Sequence, residues 1–119
     1  MKRLLIMMLA AAMLTGCGKQ YKAKQTVKSF LKENMASDDY SRKFLAFDST
    51  INVTPLAISR MHADASKLPQ FKKSMKYAPV ENRRAMMFQK VQLKSKKDTI
   101  QLTFYLDNDA GNVIAFKEN

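Results

Sequence analysis

The order of apolar and polar residues predicts two helices in the first half of the chain. From Gln20 to Met35, apolar side chains recur every three or four positions among lysines, which is typical of an amphipathic helix. Thr54 supplies an N-cap and Pro55 a favoured first helical residue, so a second helix is expected to begin here and to end by Ser66. The residues predicted on its buried side are Leu56, Ile58, Met61 and Ala65.

The second half of the chain changes to the two-residue period of β-strands. The segments that fit this pattern are 84–93, 99–106 and 112–117, and an earlier extended segment at 43–53 is interrupted by a polar Asp-Ser-Thr bend. Within 99–106 the alternation is regular. It predicts Ile100, Leu102, Phe104 and Leu106 facing inward and Gln101, Thr103 and Tyr105 facing outward.

Turn residues join these strands into an antiparallel meander. Residues 95–98 and 107–111 are predicted turns, and Gly111 suits a position with positive φ. Residues 73–77 are a candidate for a further strand. Helices followed by a meander predict an α+β fold in which both helices pack on one face of a three- to four-stranded antiparallel sheet.

The first sixteen residues have the three parts of an export leader. Lys2 and Arg3 precede an apolar run at 4–14, and small residues separate this run from Cys17, the only cysteine. A helix of 11 residues reaches about 16 Å, roughly half the thickness of a bilayer's hydrocarbon core. The segment therefore predicts a cleaved leader and not a mature membrane span.

Leu14-Thr15-Gly16-Cys17 resembles the lipobox of bacterial lipoproteins at every position. The resemblance implies that residues 1–16 are removed and that Cys17 is lipidated, with diacylglycerol on its sulfur. The domain organisation is then a signal peptide at 1–16, a lipidated tether at 17–22 and a single domain at 23–119. An ordinary secretory leader with an accidental cysteine is the alternative.

Sorting signals of such lipoproteins concern the residues directly after the cysteine. Gly18 stands where aspartate would retain the protein in the inner membrane, which implies the outer membrane. Residues 19–24 also lack the acidic cluster associated with surface export in Bacteroidetes. The resemblance therefore implies an anchor that faces the periplasm.

Charge adds candidate partners to this picture. Lysine and arginine outnumber aspartate and glutamate by 21 to 10, and the lysines nearest Cys17 are Lys19, Lys22, Lys24, Lys28 and Lys32. Each can add roughly 1 kcal/mol of attraction to an anionic lipid or lipopolysaccharide surface, although a solvated basic face is the simpler interpretation. Nucleic acid is not an expected partner, because export separates the domain from the chromosome and the aromatic residues do not interleave with the basic ones.

The ending from Thr103 to Asn119, together with the element order, resembles small Bacteroidetes lipoproteins with cystatin-like or NTF2-like folds. The resemblance implies a curved sheet that wraps a helix and, in some members, encloses a conical pocket. The candidates to line such a pocket, which would take a small apolar ligand, are Tyr77, Met87, Phe104 and Tyr105. Simple core filling is the alternative role for these residues.

Catalytic and metal-binding motifs are weak in this sequence. His62, the only histidine, has no cysteine partner and no triad spacing, which favours a structural role. Residues 107–118 place acids at the first, third and twelfth positions of an EF-hand loop, but Gly111 and Asn112 occupy its fifth and sixth positions and argue against calcium. No metal site, cofactor or catalytic residue is predicted.

The favoured function is therefore a membrane-anchored, non-enzymatic module that binds a protein or a small apolar ligand. The alternative is an NTF2-like enzyme of the isomerase or dehydratase type with a small apolar substrate. A cavity with a buried aspartate or tyrosine beside His62 would favour the enzyme, and a filled core would favour the module. Two three-residue segments, starting at Asp48 and Asp98, resemble O-glycosylation sites of exported Bacteroidetes proteins and make Ser49 and Thr99 candidate acceptors.

Overall fold

Two helices and four strands make up an α+β arrangement. The computed structural model describes residues 2–37, 39–51, 53–79 and 85–119, and for residues 2–17 it describes the backbone alone. In chain order the elements are α1 (Lys2–Asn34), β1 (Ser41–Ile51), α2 (Pro55–Ala65), β2 (Ala85–Lys94), β3 (Thr99–Leu106) and β4 (Val113–Glu118). Neither helix, over its described residues, is long and apolar enough to span a membrane.

Antiparallel pairing orders the sheet β1-β2-β3-β4, so that β1 and β4 are its edge strands. The predicted α+β class with an antiparallel sheet is confirmed, with four strands. The further strand predicted at 73–77 is wrong, because these residues form irregular chain beside β4. Ala78 donates one hydrogen bond of 2.8 Å to the Val113 carbonyl, and Pro79 has no N–H with which to continue a ladder.

Aromatic rings pack α1 onto one face of the sheet. The ring of Phe30, on α1, lies 5.7 Å from that of Phe104 and 5.5 Å from that of Phe116, edge to face in both cases. Phe104 and Phe116 stack on each other at 4.9 Å. Around them all four residues predicted to face inward from β3 are buried, as confirmed for Ile100, Leu102, Phe104 and Leu106.

The expectation that both helices pack on one face is wrong, because α2 lies mainly against the other face at the β4 side. The buried cluster there contains Ile58, Met61, Met86, Ile114 and Ala115, with Tyr105 at its margin. Tyr105 and Ala115 are register partners and alternate with the phenylalanines beneath α1. The strands are thus apolar on both faces at this end, and burying the second face requires a second covering layer.

β1 is interrupted by a β-bulge and not by the predicted Asp-Ser-Thr bend. Its register with β2 shifts between Phe44 and Phe47. The fully buried Gln89 donates from Nε2 to the carbonyls of Leu45 and Ala46 at 3.2 and 3.3 Å. Because a bulge removes backbone groups from the ladder, the amide of a neighbouring strand takes the place of the lost partners.

The predicted start and end of α2 are confirmed. Thr54 Oγ1 accepts a 3.1 Å hydrogen bond from the Ala57 N–H, with proline at the first helical position. Leu56, however, is 64% exposed, so its predicted burial is wrong. It lies about 200° around the helix from Ile58, outside the stripe that Ile58 shares with Met61 and Ala65.

Two local details in the meander also differ from expectation. Thr103, predicted to face outward, is only 3% exposed, and its hydroxyl donates to Asn119 Oδ1 at 2.7 Å. Ala110, and not Gly111, has the positive φ, of 58°. Gly111 instead donates its N–H to Asp107 Oδ1 at 2.8 Å, which places the left-handed residue one position earlier in the turn.

Candidate functional site

A basic groove runs between α1 and the edge strand β1. It encloses about 820 Å³ and is lined by Gln25, Lys28, Ser29, Leu31, Lys32, Met35, Ala36, Ser37, Tyr40 and Arg42. These described residues include three cations and no carboxylate. The surrounding hydroxyl and amide groups add hydrogen-bond donors, so the groove suits an anionic ligand.

The register of β1 explains how Arg42 reaches this groove. Arg42 pairs with Leu93 and Phe44 pairs with Val91, and both partners are buried on the sheet face that α1 covers. The side chains of Arg42 and Phe44 therefore stand on the same face as α1. Arg42 is exposed at the edge, where it forms the β1 wall of the groove.

Two lysines of α1 converge on Phe44. The ammonium groups of Lys24 and Lys28, one helical turn apart, each lie 5.8 Å from the centre of the Phe44 ring. Cation–π attraction operates at this distance and favours holding both charges above the aromatic face. The two ammonium groups are thereby directed towards the β1 side of α1 instead of spreading into solvent.

Asp98, which lies outside the groove lining, binds the groove residue Tyr40. Its carboxylate accepts hydrogen bonds of 2.9 Å from the Tyr40 hydroxyl, from Gln70 Nε2 and from the Ser95 hydroxyl. The bond from Gln70, followed by those from Ser95 and Tyr40, lowers the pKa of Asp98. Burial, together with the hydrogen bond to Asp98, raises the pKa of Tyr40, so its hydroxyl stays protonated and continues to donate.

The four candidate pocket residues are divided between the two sides of the sheet. Met87 and Phe104 are buried beneath α1, and Tyr77 is half-buried against the same cluster. Tyr105 packs with the α2 cluster on the opposite face. The structure thus brings three of them together and separates the fourth, and Phe104 is in ring contact with Phe30 and Phe116 instead of lining an opening.

His62 and Tyr77 form a stacked pair beside β4. Their rings lie 3.8 Å apart and within 13° of parallel. His62 Nε2 is 2.7 Å from the carbonyl oxygen of Ile114 on β4, and because a carbonyl oxygen only accepts, Nε2 is the donor of this bond. Burial raises the pKa of Tyr77 to about 12, and the Tyr77 hydroxyl is 3.9 Å from Met75 Sδ.

The remaining candidates lie outside the groove. Ser49 and Thr99, the candidate glycosylation residues, are both exposed. Asp107 binds the backbone of its own turn through Gly111 and Asn112. Across the described part of the chain, no group of three His, Cys, Asp or Glu side chains is placed to hold a metal ion. The side chain of Cys17, the candidate lipidation site, and those of the leader lie outside the described residues.

The sequence pointed to the two lysines of the groove but not to the residues on its opposite wall. Lys28 and Lys32 were part of the basic segment after Cys17, whereas Arg42 and Tyr40 carried no motif. Their role depends on pairing between β1 and β2 and on contacts with the distant Asp98. An arginine one position before the extended segment predicted at 43–53 was the one available signal, and such a residue has many ordinary explanations.

Comparison with known proteins adds no relative to this picture. No protein-family model matches the chain, and no curated protein or solved structure matches it either.

Proposed function

We propose that the protein is a bacterial lipoprotein, anchored through Cys17 to the periplasmic side of the outer membrane, that acts as a non-enzymatic binding module. The lipobox at residues 14–17 supports the anchor. The observation that carries the binding role is the basic groove between α1 and β1, whose described lining has three cations and no carboxylate. The anionic phospholipids of the membrane surface are the nearest source of opposite charge for a chain tethered in this way.

The packing beneath α1 supports a module more than an enzyme. The Phe30, Phe104 and Phe116 rings fill the space between α1 and the sheet, where an NTF2-like fold would place its pocket. The enzyme alternative has one supporting observation, the stacking of Tyr77 on His62. Both side chains already have other contacts, His62 with the Ile114 carbonyl and Tyr77 with the Phe30 ring.

Cys17→Ser tests the anchor directly. We expect the variant to leave the membrane fraction and to lose the acyl mass of the wild-type chain, because a serine oxygen does not replace the modified thiol. Gly18→Ala is the matched control, since a Cβ at that position meets nothing within 4 Å. If Cys17→Ser keeps both its membrane fractionation and its mature mass, the proposed anchor is wrong.

A further inference from the structure

We propose that the groove between α1 and β1 binds the phosphate-bearing headgroup of an anionic phospholipid in the membrane that holds the chain. This inference rests on the proposed anchoring and names the ligand of the groove. It makes the groove a second, non-covalent attachment that fixes how the domain lies on the membrane.

The chemistry of the groove fits such a headgroup. Lys28, Lys32 and Arg42 supply positive charge from both walls, and Arg42 can form two parallel hydrogen bonds to phosphate oxygens. Ser29 adds a hydroxyl at the same opening, whereas the Tyr40 hydroxyl already donates to Asp98. Met35, which is only partly buried, contributes apolar surface that a glycerol backbone and the first acyl carbons would contact but an inorganic ion would leave uncovered.

The position of the groove on α1 favours lipid over a free phosphate compound. The backbone is helical from Lys2 to Asn34, so positions 24 and 28 follow position 17 by close to two and three full turns. All three positions therefore lie on one helix face. Along the axis Lys24 is about 10 Å and Lys28 about 16 Å from the anchored position.

This spacing predicts how the domain meets the membrane. The headgroup region of one leaflet is roughly 5–8 Å deep, so a helix standing upright would carry Lys28 out of reach of the phosphates. If α1 lies along the surface, the face that bears the anchor also directs Lys24 and Lys28 towards the headgroups. Tyr21, one turn after position 17 and 65% exposed, then sits at the depth where tyrosine is favoured.

Titration of the purified full mature chain in a neutral detergent tests the inference. The probes are dihexanoyl phosphatidylglycerol, dihexanoyl phosphatidylcholine and inorganic phosphate, with binding followed by isothermal calorimetry. We expect saturable binding of the phosphatidylglycerol, competition by phosphate only at much higher concentration, and little binding of the zwitterionic lipid.

The decisive variant is Lys28→Gln/Arg42→Gln, which removes one lysine and one arginine from opposite walls of the groove. We expect it to weaken phosphatidylglycerol binding about tenfold or more. Arg60→Gln/Lys67→Gln is the matched control, because it removes the same two charges from exposed positions on and just after α2. This control should change the affinity less than twofold, and circular dichroism should show both variants folded.

Each other outcome would overturn the proposal. Equal losses in the two double variants would mean diffuse charge attraction and no site in the groove. Phosphate binding without a preference for the lipid would identify a free phosphate compound as the ligand. Equal affinity for the zwitterionic and the anionic lipid would show that the charge of the headgroup does not contribute to binding. The mass of the same preparation reports acylation of Cys17 independently of the titration. A groove that does not bind lipid and a cysteine that is not acylated therefore give different results.

Discussion

The Tyr40 hydroxyl donates a 2.9 Å hydrogen bond to Asp98 Oδ1 across 58 positions of sequence. Gln70 Nε2 donates to the other oxygen of the same carboxylate at 2.9 Å. One acidic side chain therefore ties together the segment before β1, the chain after α2 and the β2–β3 hairpin. Because Tyr40 also lines the basic groove, this network holds one residue of the groove wall in place.

Stability at acid pH should depend on Asp98. Hydrogen bonds from Gln70, Ser95 and Tyr40 lower its pKa in the folded state below the ordinary value of an aspartate. This contribution to stability is therefore present above the unfolded pKa and is lost as pH falls through the lowered folded value. We expect Asp98→Asn to destabilise the protein near neutral pH and to reduce the loss of stability on acidification, as measured by urea unfolding between pH 6 and about 2.5.

Asp109→Asn is the control for that experiment, because it neutralises an exposed carboxylate on the β3–β4 turn. It should leave the acid dependence close to that of the wild type. Identical acid profiles for Asp98→Asn and the wild type would contradict a role of the Asp98 network in stability.

Tyr77 should give the opposite dependence at alkaline pH. Burial raises its pKa from 10.0 to about 12, so the protonated phenol is favoured in the folded state. Its contribution is fully present below pH 10 and is lost as pH rises from 10 to about 12. Tyr77→Phe should remove on the order of 1 kcal/mol of this alkaline loss, a value reduced for half-burial, as measured by unfolding at pH 8.5, 10 and 11.

Tyr21→Phe serves as the comparison, since Tyr21 is 65% exposed and has the same chemistry. An unchanged alkaline profile in Tyr77→Phe would mean that the phenol ionises without cost in the folded protein.

The bulge of β1 should be sensitive to the side chain at position 89. Gln89→Leu removes the amide that donates to the Leu45 and Ala46 carbonyls and leaves these acceptors without that partner. We expect a loss of about 2 kcal/mol in the free energy of unfolding. The substitution also removes Gln89 Oε1, which is buried without a partner among the described residues, and this gain limits the net loss.

The matched change for this test is Gln101→Leu, at an exposed position on β3. It should shift the unfolding free energy by less than about 0.5 kcal/mol. A Gln89→Leu protein as stable as the wild type would show that the bulge needs no side-chain donor.

The N-cap of α2 gives a prediction of smaller size. Thr54→Ala removes the acceptor of the Ala57 N–H and should cost about 1 kcal/mol in thermal or denaturant unfolding. Ser59→Ala, at an exposed position inside the same helix, should be neutral or slightly stabilising because alanine is the better helix former. Equal effects of the two changes would rule out a specific capping contribution.

The sequence alone predicted more of the fold than of the candidate site. The helix start at Thr54, the turn at 95–98 and the inward set of β3 are confirmed, because each depends on residues a few positions apart. The bulge in β1 could not be foreseen, since its partner Gln89 lies on another strand. The placement of α2 was not predicted correctly. The alternation of apolar and polar residues assigns side chains to the two faces of a strand, but it does not show which helix packs on each face.

The sequence by itself determined the helical and strand segments, the excess of positive charge after Cys17 and the lipobox resemblance, all of which are local in the chain. Tertiary structure alone decided that α2 covers the second face of the sheet and that Arg42 stands opposite Lys28 across a groove. It also decided that Tyr40 and Asp98 meet. These relationships arise from strand register and from the burial of apolar surface on both sheet faces, and such forces act between residues that are distant in sequence.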